Sequence, residues 1–119
     1  MFASLRLGLG RLLDFGGWEL VVMNPVDHPL VTSETVQALV NDGQSPAIAT
    51  VRGKHGHPIC LARSLAERVV SDPNSGPTLR HVLREAGAVD VSVDDFGVIS
   101  NCNTPEMLAE HLKRIEASR

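Results

Sequence analysis

The sequence predicts an α/β fold with a mostly parallel sheet flanked by helices. Three observations carry that prediction. Short apolar runs alternate with segments whose apolar residues recur at helical spacing, the order expected when helices cross over between parallel strands. The turns between them hold helix-start residues, Thr32-Ser33 and Thr104-Pro105, and helix-stop glycines, Gly43 and Gly87. The 119 residues are 43% hydrophobic and 21% charged, which suits one domain with one core.

From the N-terminus, Leu5, Leu9, Leu12 and Leu13 recur at helical spacing, Arg6 and Arg11 fall off that face, and Gly16-Gly17 ends the run. That pattern predicts a first helix. Trp18 to Met23 reads as a strand buried on both faces. After a turn around Asp27, Thr32 or Ser33 caps a helix carrying Val36, Leu39 and Val40, which ends near Asn41-Asp42-Gly43. Ala47 to Val51 and Pro58 to Ala62 are two β-like runs. The Arg52-Gly53-Lys54-His55-Gly56-His57 segment between them has enough glycine for a hairpin or a substrate loop.

A short helix around Leu65 to Val70 and a loop over Ser71 to Gly76 come next. Pro77 then opens a helix with Leu79, Val82 and Leu83 on one face, and Gly87 closes it. Ala88 to Val93 alternates apolar with polar, the pattern of a more exposed strand. Val98-Ile99-Ser100 is read as a short strand and Asn101-Cys102-Asn103 as its turn. In the last helix Thr104 caps, Pro105 takes the first position and Glu106 sits where the helix dipole favours an anion. Met107, Leu108, His111, Leu112 and Ile115 form its inward face.

The formal charge is −3 and the pI about 5.9. Binding a phosphate backbone needs Lys and Arg concentrated on one face, and here the basic residues are scattered. Four aromatics and no Tyr provide no stacking platform for single strands, so nucleic acid is not an expected partner. No apolar run reaches the roughly 18 residues of a membrane span. Arg6 and Arg11 are spaced through the apolar N-terminus rather than ahead of it, which is not a signal-peptide pattern. The expected setting is the cytoplasm, with no membrane partner and with Cys60 and Cys102 as free thiols.

Ligands of open α/β sheets bind beyond the carboxyl ends of strands. Asp27 and the Asn101/Asn103 pair both follow predicted strands, so parallel neighbours would bring an acid and an amide into one crevice. Such a set suits Mg²⁺, which takes few protein ligands and completes its shell with water and phosphate oxygens. The structural alternative is that Asp27 starts a turn and Asn101 caps one. The Gly53 to Pro58 segment leaves three readings open: transition-metal ligation by His55, His57 and Cys60, a plain hairpin turn, or a glycine-rich substrate loop. There is no Gly-x-Ser-x-Gly elbow and no Gly-x-x-x-x-Gly-Lys-Ser/Thr phosphate loop.

PVDHPLV, GHP and NTPEML, in that order and spacing behind MFASLRLGL, resemble the MobA-like NTP transferases. That family includes the molybdenum-cofactor guanylyl- and cytidylyltransferases, with a GT-A-like, Rossmann-type fold. The likeness runs from Met1 to about Leu112. It implies that Asp27 is a catalytic, Mg²⁺-binding aspartate and that Asn103 fills the Asp/Asn position of the family's (D/N)-T-P-E motif on the metal side. It implies that Gly56, His57 and Pro58 line the acceptor side and that Ser4 and Leu5 lie close to the bound nucleotide. The implied reaction transfers NMP from CTP or GTP to a phosphorylated acceptor such as molybdopterin. Pyrophosphate leaves with Mg²⁺ offsetting the developing charge, and no protein nucleophile is needed.

The family opens with a strand and a glycine-rich triphosphate loop of the kind L-A-A-G-x-S-x-R-M-G, followed by a lysine. This sequence starts at the methionine the family often carries inside its Met-x-Ser-Ser-Leu motif. The expectation is that residues 1–119 are the C-terminal part of such a domain, not self-sufficient as one chain. Val21 to Met23 would then present an unpaired edge suited to a homodimer or to a partner chain supplying the N-terminal half. The alternative is a non-catalytic binding or oligomerisation module derived from that fold.

Overall fold

A four-stranded sheet sorts the described apolar residues onto two faces. The structure, a computed structural model, describes residues 2–43, 45–72 and 78–118. The elements in chain order are α1 (Phe2–Leu13), β1 (Leu20–Met23), α2 (Ser33–Asp42), β2 (Ala47–Val51), β3 (Lys54–Ala62), α3 (Arg63–Ser71), α4 (Leu79–Glu85), β4 (Val89–Ser92), a 3-10 helix (Phe96–Ile99) and α5 (Pro105–Ser118).

The sheet order is β1-β3-β2-β4. β3 runs antiparallel to both β1 and β2, and among the described residues only β2 and β4 form a parallel pair. The expected mostly parallel sheet is thus corrected to a mixed one. The cause is local. Arg52 (φ 49°) and Gly53 (φ 78°) both adopt left-handed backbone, the two-residue turn whose twist matches that of paired strands. β3 therefore folds straight back along β2 from Lys54, and the Lys54 to His57 stretch is strand rather than loop.

Period-two alternation assigns the strand residues to faces. Ile59 and Leu61 of β3 join Leu9 of α1, Leu65, Ala66 and Val69 of α3, and Val82 and Leu83 of α4 in one buried cluster. Cys60 points the other way, into a second cluster with Leu39 of α2, Ala47, Ala49 and Val51 of β2, and Val98. β1 lies at the sheet edge and is half-buried throughout, not enclosed on both sides. Its outer edge has no ladder partner among the described residues. Trp18 precedes this strand and donates from Nε1 to the Leu12 carbonyl at 2.9 Å. The Arg63 guanidinium stacks 4.6 Å from the Trp18 ring and donates to the carbonyls of Leu13 and Phe15. Arg63 thereby satisfies carbonyls that the end of α1 leaves unpaired and fixes that helix against α3.

Caps follow the sequence signals closely. Thr32 caps α2, whose end is Gly43 at φ 71°, and Thr104 accepts from the Met107 N–H at the start of α5. Thr78 caps α4, while Pro77 lies outside the described residues. In α5 Met107, Leu108, His111 and Ile115 are half-buried, but Leu112 is exposed, because the helix rests mainly on the 3-10 helix rather than on the sheet.

The predicted strand at Val98 to Ser100 is instead the end of the 3-10 helix. Asp95 decides this. Its buried carboxylate accepts from the Gly97 N–H (2.9 Å), the Thr32 N–H (2.9 Å), the Thr32 hydroxyl (3.1 Å) and the Thr35 hydroxyl (2.6 Å). An aspartate that captures the N–H two residues on favours a tight turn over a strand. It also ties that turn to the start of α2. Asp95→Asn replaces one acceptor oxygen with a donor facing donors. It is expected to destabilise the fold by about 2–3 kcal/mol, the scale of hydrogen bonds to a buried charged group, read as a lower urea midpoint with an unchanged slope.

Candidate functional site

The pairing of β3 changes register along its length. Ile48 sits opposite Ile59, but Thr50 sits opposite His55, so Gly56, His57 and Pro58 together face Ala49. This bulge breaks the ladder where Pro58 has no N–H to contribute, and it re-aims the residues within it. Gly56 is required there. A Cβ at this position would lie 2.1 Å from the Val98 carbonyl oxygen and 2.6 Å from Val98 Cγ1. The glycine of Gly-His-Pro thus lets β3 pass against the 3-10 helix. Pro58 is fully buried, and His57 faces outward.

β1 pairs with β3 as far as Met23 opposite Ile59. Beyond that point its continuation, Asn24 to His28, runs alongside the bulge. The continuation is closed on itself: the His28 N–H donates to the Pro25 carbonyl (3.1 Å) and Asn24 Nδ2 to the His28 carbonyl (2.8 Å). It is also anchored from the C-terminal side, where the Cys102 N–H donates to the Asp27 carbonyl at 2.7 Å. The loops carrying Asp27 and Asn103 therefore adjoin through the backbone, although the strand expected before Asn101 is a 3-10 helix.

His28 Nδ1 donates to Asp27 Oδ1 at 2.9 Å, with the two side chains 12% and 28% exposed. The His28 and His57 rings meet edge-on, with centroids 4.8 Å apart. Burial, reinforced by His28 and partly opposed by Asp27, holds the His57 pKa below its ordinary value of 6.5. Asp27, His28 and His57 thus form one contiguous group beyond the carboxyl end of β1.

Two clefts meet at this group. One, of about 410 Å³, is lined by Ser4 and Leu5 of α1, the 23–27 segment, His57, Ile59 and Leu79. The other, of about 620 Å³, holds His28, His55, Gly56 and His57 against α4 and the ends of β2 and β4. His57, Ile59 and Leu79 belong to both. The structure therefore brings together Ser4, Leu5, Asp27, Gly56 and His57. Pro58 lies beneath them, and exposed Asn103 lies outside the lining of either cleft.

Asp27 Oδ2 has no hydrogen bond among the described residues, and Asp27 lines the smaller cleft. One hard carboxylate oxygen beside a cavity fits a Mg²⁺ ion that completes its shell with water and phosphate. Among the described residues no three His, Cys, Asp or Glu side chains converge as a metal site. The His55, His57 and Cys60 alternative fails on geometry. Cys60 is fully buried in the second core cluster, where burial pushes its thiol pKa up, and His55 pairs with Asp90 at 2.8 Å. Arg80 and Arg84 of α4, which sequence reasoning did not single out, also line the larger cleft. No helix among the described residues is long and apolar enough to cross a membrane.

A family model described as the MobA-like NTP transferase domain matches residues 1–93. Among solved structures, the chain is similar to the homologue of Mycobacterium tuberculosis rv0371c from Mycobacterium sp. strain JC1. That likeness has a TM-score of 0.66 and 19% identity, covering 98% of this chain and 59% of that one. It is also similar to the protein Aq1419 from Aquifex aeolicus VF5, with a TM-score of 0.65 and 20% identity, over 87% of this chain and 56% of that one. The chain thus spans less than two thirds of either structure's length. A search of curated proteins returns no match.

Two outcomes follow from the geometry. Gly56→Ala is expected to destabilise the chain by about 1–3 kcal/mol, as overpacking against backbone does, measured by urea unfolding. For His57 the lowered pKa means that, as pH falls through 6.5, the unfolded chain takes up a proton that the folded chain refuses. Its contribution is therefore neutral above that value and destabilising below it. The fall in thermal midpoint between pH 7 and pH 5 should be smaller in His57→Gln than in the wild-type chain.

Proposed function

The chain belongs to the MobA-like NTP transferase domain family, and from that premise we propose that residues 1–119 contribute the metal- and acceptor-side part of a nucleotidyltransferase site. The reaction is transfer of NMP from CTP or GTP to a phosphorylated small-molecule acceptor, of which molybdopterin is one candidate. The observation that carries this reading is the meeting of Asp27, His28 and His57 at the wall shared by two clefts. One cleft suits each substrate. The nucleotide lies on the Ser4 and Leu5 side, and the acceptor on the Gly56 side, above Pro58.

Asp27 would hold Mg²⁺ through the carboxylate oxygen that His28 leaves free; Asn103, exposed on the adjoining loop and outside both clefts, is the further oxygen donor that the family resemblance implies. When bound, Mg²⁺ neutralises phosphate oxygens and the charge that develops on the leaving pyrophosphate. The His28 hydrogen bond holds the Asp27 carboxylate in one orientation. An acceptor phosphate oxygen forms a bond to the α-phosphorus, the bond to the β-phosphate oxygen breaks, and pyrophosphate leaves with that electron pair. The chain's own part is to position and exclude water. Cys60 is buried in the second core cluster and lines neither cleft, so its thiol is not placed to act as a nucleophile.

A second reading rests on the open edge of β1, a strand of half-buried apolar residues with no outer ladder partner among the described residues. Such an edge can pair with a second copy or with another polypeptide segment. It also suits a non-catalytic oligomerisation module. A stable dimer in sedimentation, with nucleotide binding absent and all properties unchanged by Asp27→Ala, would favour the module.

With Mg²⁺ present, the chain is expected to bind CTP or GTP. Supplied with a phosphorylated acceptor, and with the segment matching the remaining length of its longer neighbours, it is expected to release pyrophosphate. Asp27→Asn should lower that release by about 100-fold or more, the scale of losing one electrostatic anchor of the transition state, and chelation with EDTA should abolish it. Neither nucleotide binding nor pyrophosphate release in any combination would overturn the reading.

A further inference from the structure

The larger cleft carries a charge pattern that the site described above does not use. Arg80 and Arg84 stand one turn apart on the same face of α4 and both line the cleft. Like charges at this spacing repel one another, and neither guanidinium has an ion-pair partner among the described residues. The acid lining this cleft, Asp90, is already engaged by His55 at 2.8 Å. A chain with a formal charge of −3 thus concentrates two uncompensated cations in one concavity, where low-dielectric walls focus their field on an entering anion.

The walls say what kind of anion. Ile48, Ile59, Leu83 and Ile99 give the cleft an apolar floor, suited to a flat or apolar body rather than to a bare ion. Arg80 directly follows Leu79, which lines both clefts, so the cationic face begins at the junction. Guanidinium groups present paired N–H donors that match phosphate oxygens.

We propose that Arg80 and Arg84 form the recognition site for the phosphomonoester group of the acceptor, whose ring or other apolar body lies on the Ile48, Ile59, Leu83 and Ile99 floor. The proposal rests on the transferase reading in naming the acceptor as the source of the phosphate. The same chemistry could also come from the nucleotide's triphosphate, and the two sources are separable.

The test is calorimetric titration of the full chain with phenyl phosphate at low salt. Binding is expected for phenyl phosphate and not for phenol, weakening as salt rises. Arg80→Gln and Arg84→Gln should each weaken it about tenfold, as losing one charge-assisted contact does, and the double variant should lose it. Arg80→Lys should recover part of the loss. Arg68→Gln, on α3 and outside the cleft, should bind as the wild-type chain does. Circular dichroism should show all of these variants folded, since both cleft arginines are exposed. Saturating Mg²⁺-CTP or Mg²⁺-GTP should leave phenyl phosphate bound. Displacement by nucleotide would assign the pair to the triphosphate and overturn the proposal, as would absent binding or equal binding by the double variant. Arginine-dependent phenyl phosphate binding without any nucleotide binding would remove the transferase reading and leave the phosphomonoester site standing.

Discussion

The buried carboxylate of Asp95 is the constraint on which the site depends. Its two oxygens hold the Thr32 N–H, the Thr32 and Thr35 hydroxyls and the Gly97 N–H. These bonds lock the start of α2 to the 3-10 helix across a sequence separation of about sixty residues. The lock presses two backbones together. A Cβ on Gly97 would lie 2.1 Å from the Leu30 carbonyl, and one on Gly56 equally close to Val98. These two glycines are therefore places where main chain meets main chain. The 3-10 helix thus packs directly against Gly56, at the bulge in β3 that also carries His57.

The second determinant is the reversal of β3. Because the strand between β1 and β2 runs backwards, its beginning lies beside the carboxyl ends of its neighbours. In a wholly parallel sheet that neighbour would offer another carboxyl-end loop. Here it offers a bulged strand entrance, stiffer than a loop because it is held in the ladder on both sides of the bulge. The Asp27 segment gains a rigid flank, and the Cys102 N–H secures it from the opposite side. A carboxylate on a surface turn with Val26 fully in solvent would otherwise have little to hold it.

What the sequence made legible, it made legible through local chemistry. The Thr32 and Thr104 caps, the Gly43 stop and the position of Asp27 beyond a strand all depend on residues within a few positions of one another. The direction of β3 did not, because Lys54 to His57 is polar and reads as connection. Ladder bonding needs only backbone, and these side chains lie beyond the reach of β1, where water accepts them. Val98 and Ile99 read as strand because they are apolar and β-branched. Their hydrophobicity serves the packing beneath Gly56 and on the cleft floor, not a ladder. Asp95 and Arg63 were silent for a different reason. Their partners lie 63 and 48 residues away, and nothing in a single charge announces a distant amide or carbonyl. Arg80 and Arg84 were visible as charges, but only the packing of α4 over the sheet turned them toward a cavity.

Electrostatics ties these pieces to the proposed chemistry. Joining an acceptor phosphate to a nucleotide brings two polyanions together, on a chain that is itself acidic overall. A carboxylate at the junction makes this harder, since Asp27 repels either substrate unless a cation stands between them. His28 relieves that repulsion only in part, by engaging one oxygen and leaving the other without a hydrogen bond among the described residues. The arrangement is coherent when the free oxygen holds a divalent cation and the guanidinium pair draws the acceptor from the other side. On the proposed reading the two cation sources have separate tasks: the arginines would hold the acceptor, and the metal would stand between the triphosphate and the Asp27 carboxylate. With one acid lining the smaller cleft and two exposed arginines lining the larger, the proposed chemistry amounts to a division of labour. It would bring the two proposed anions together while keeping each one's countercharge distinct.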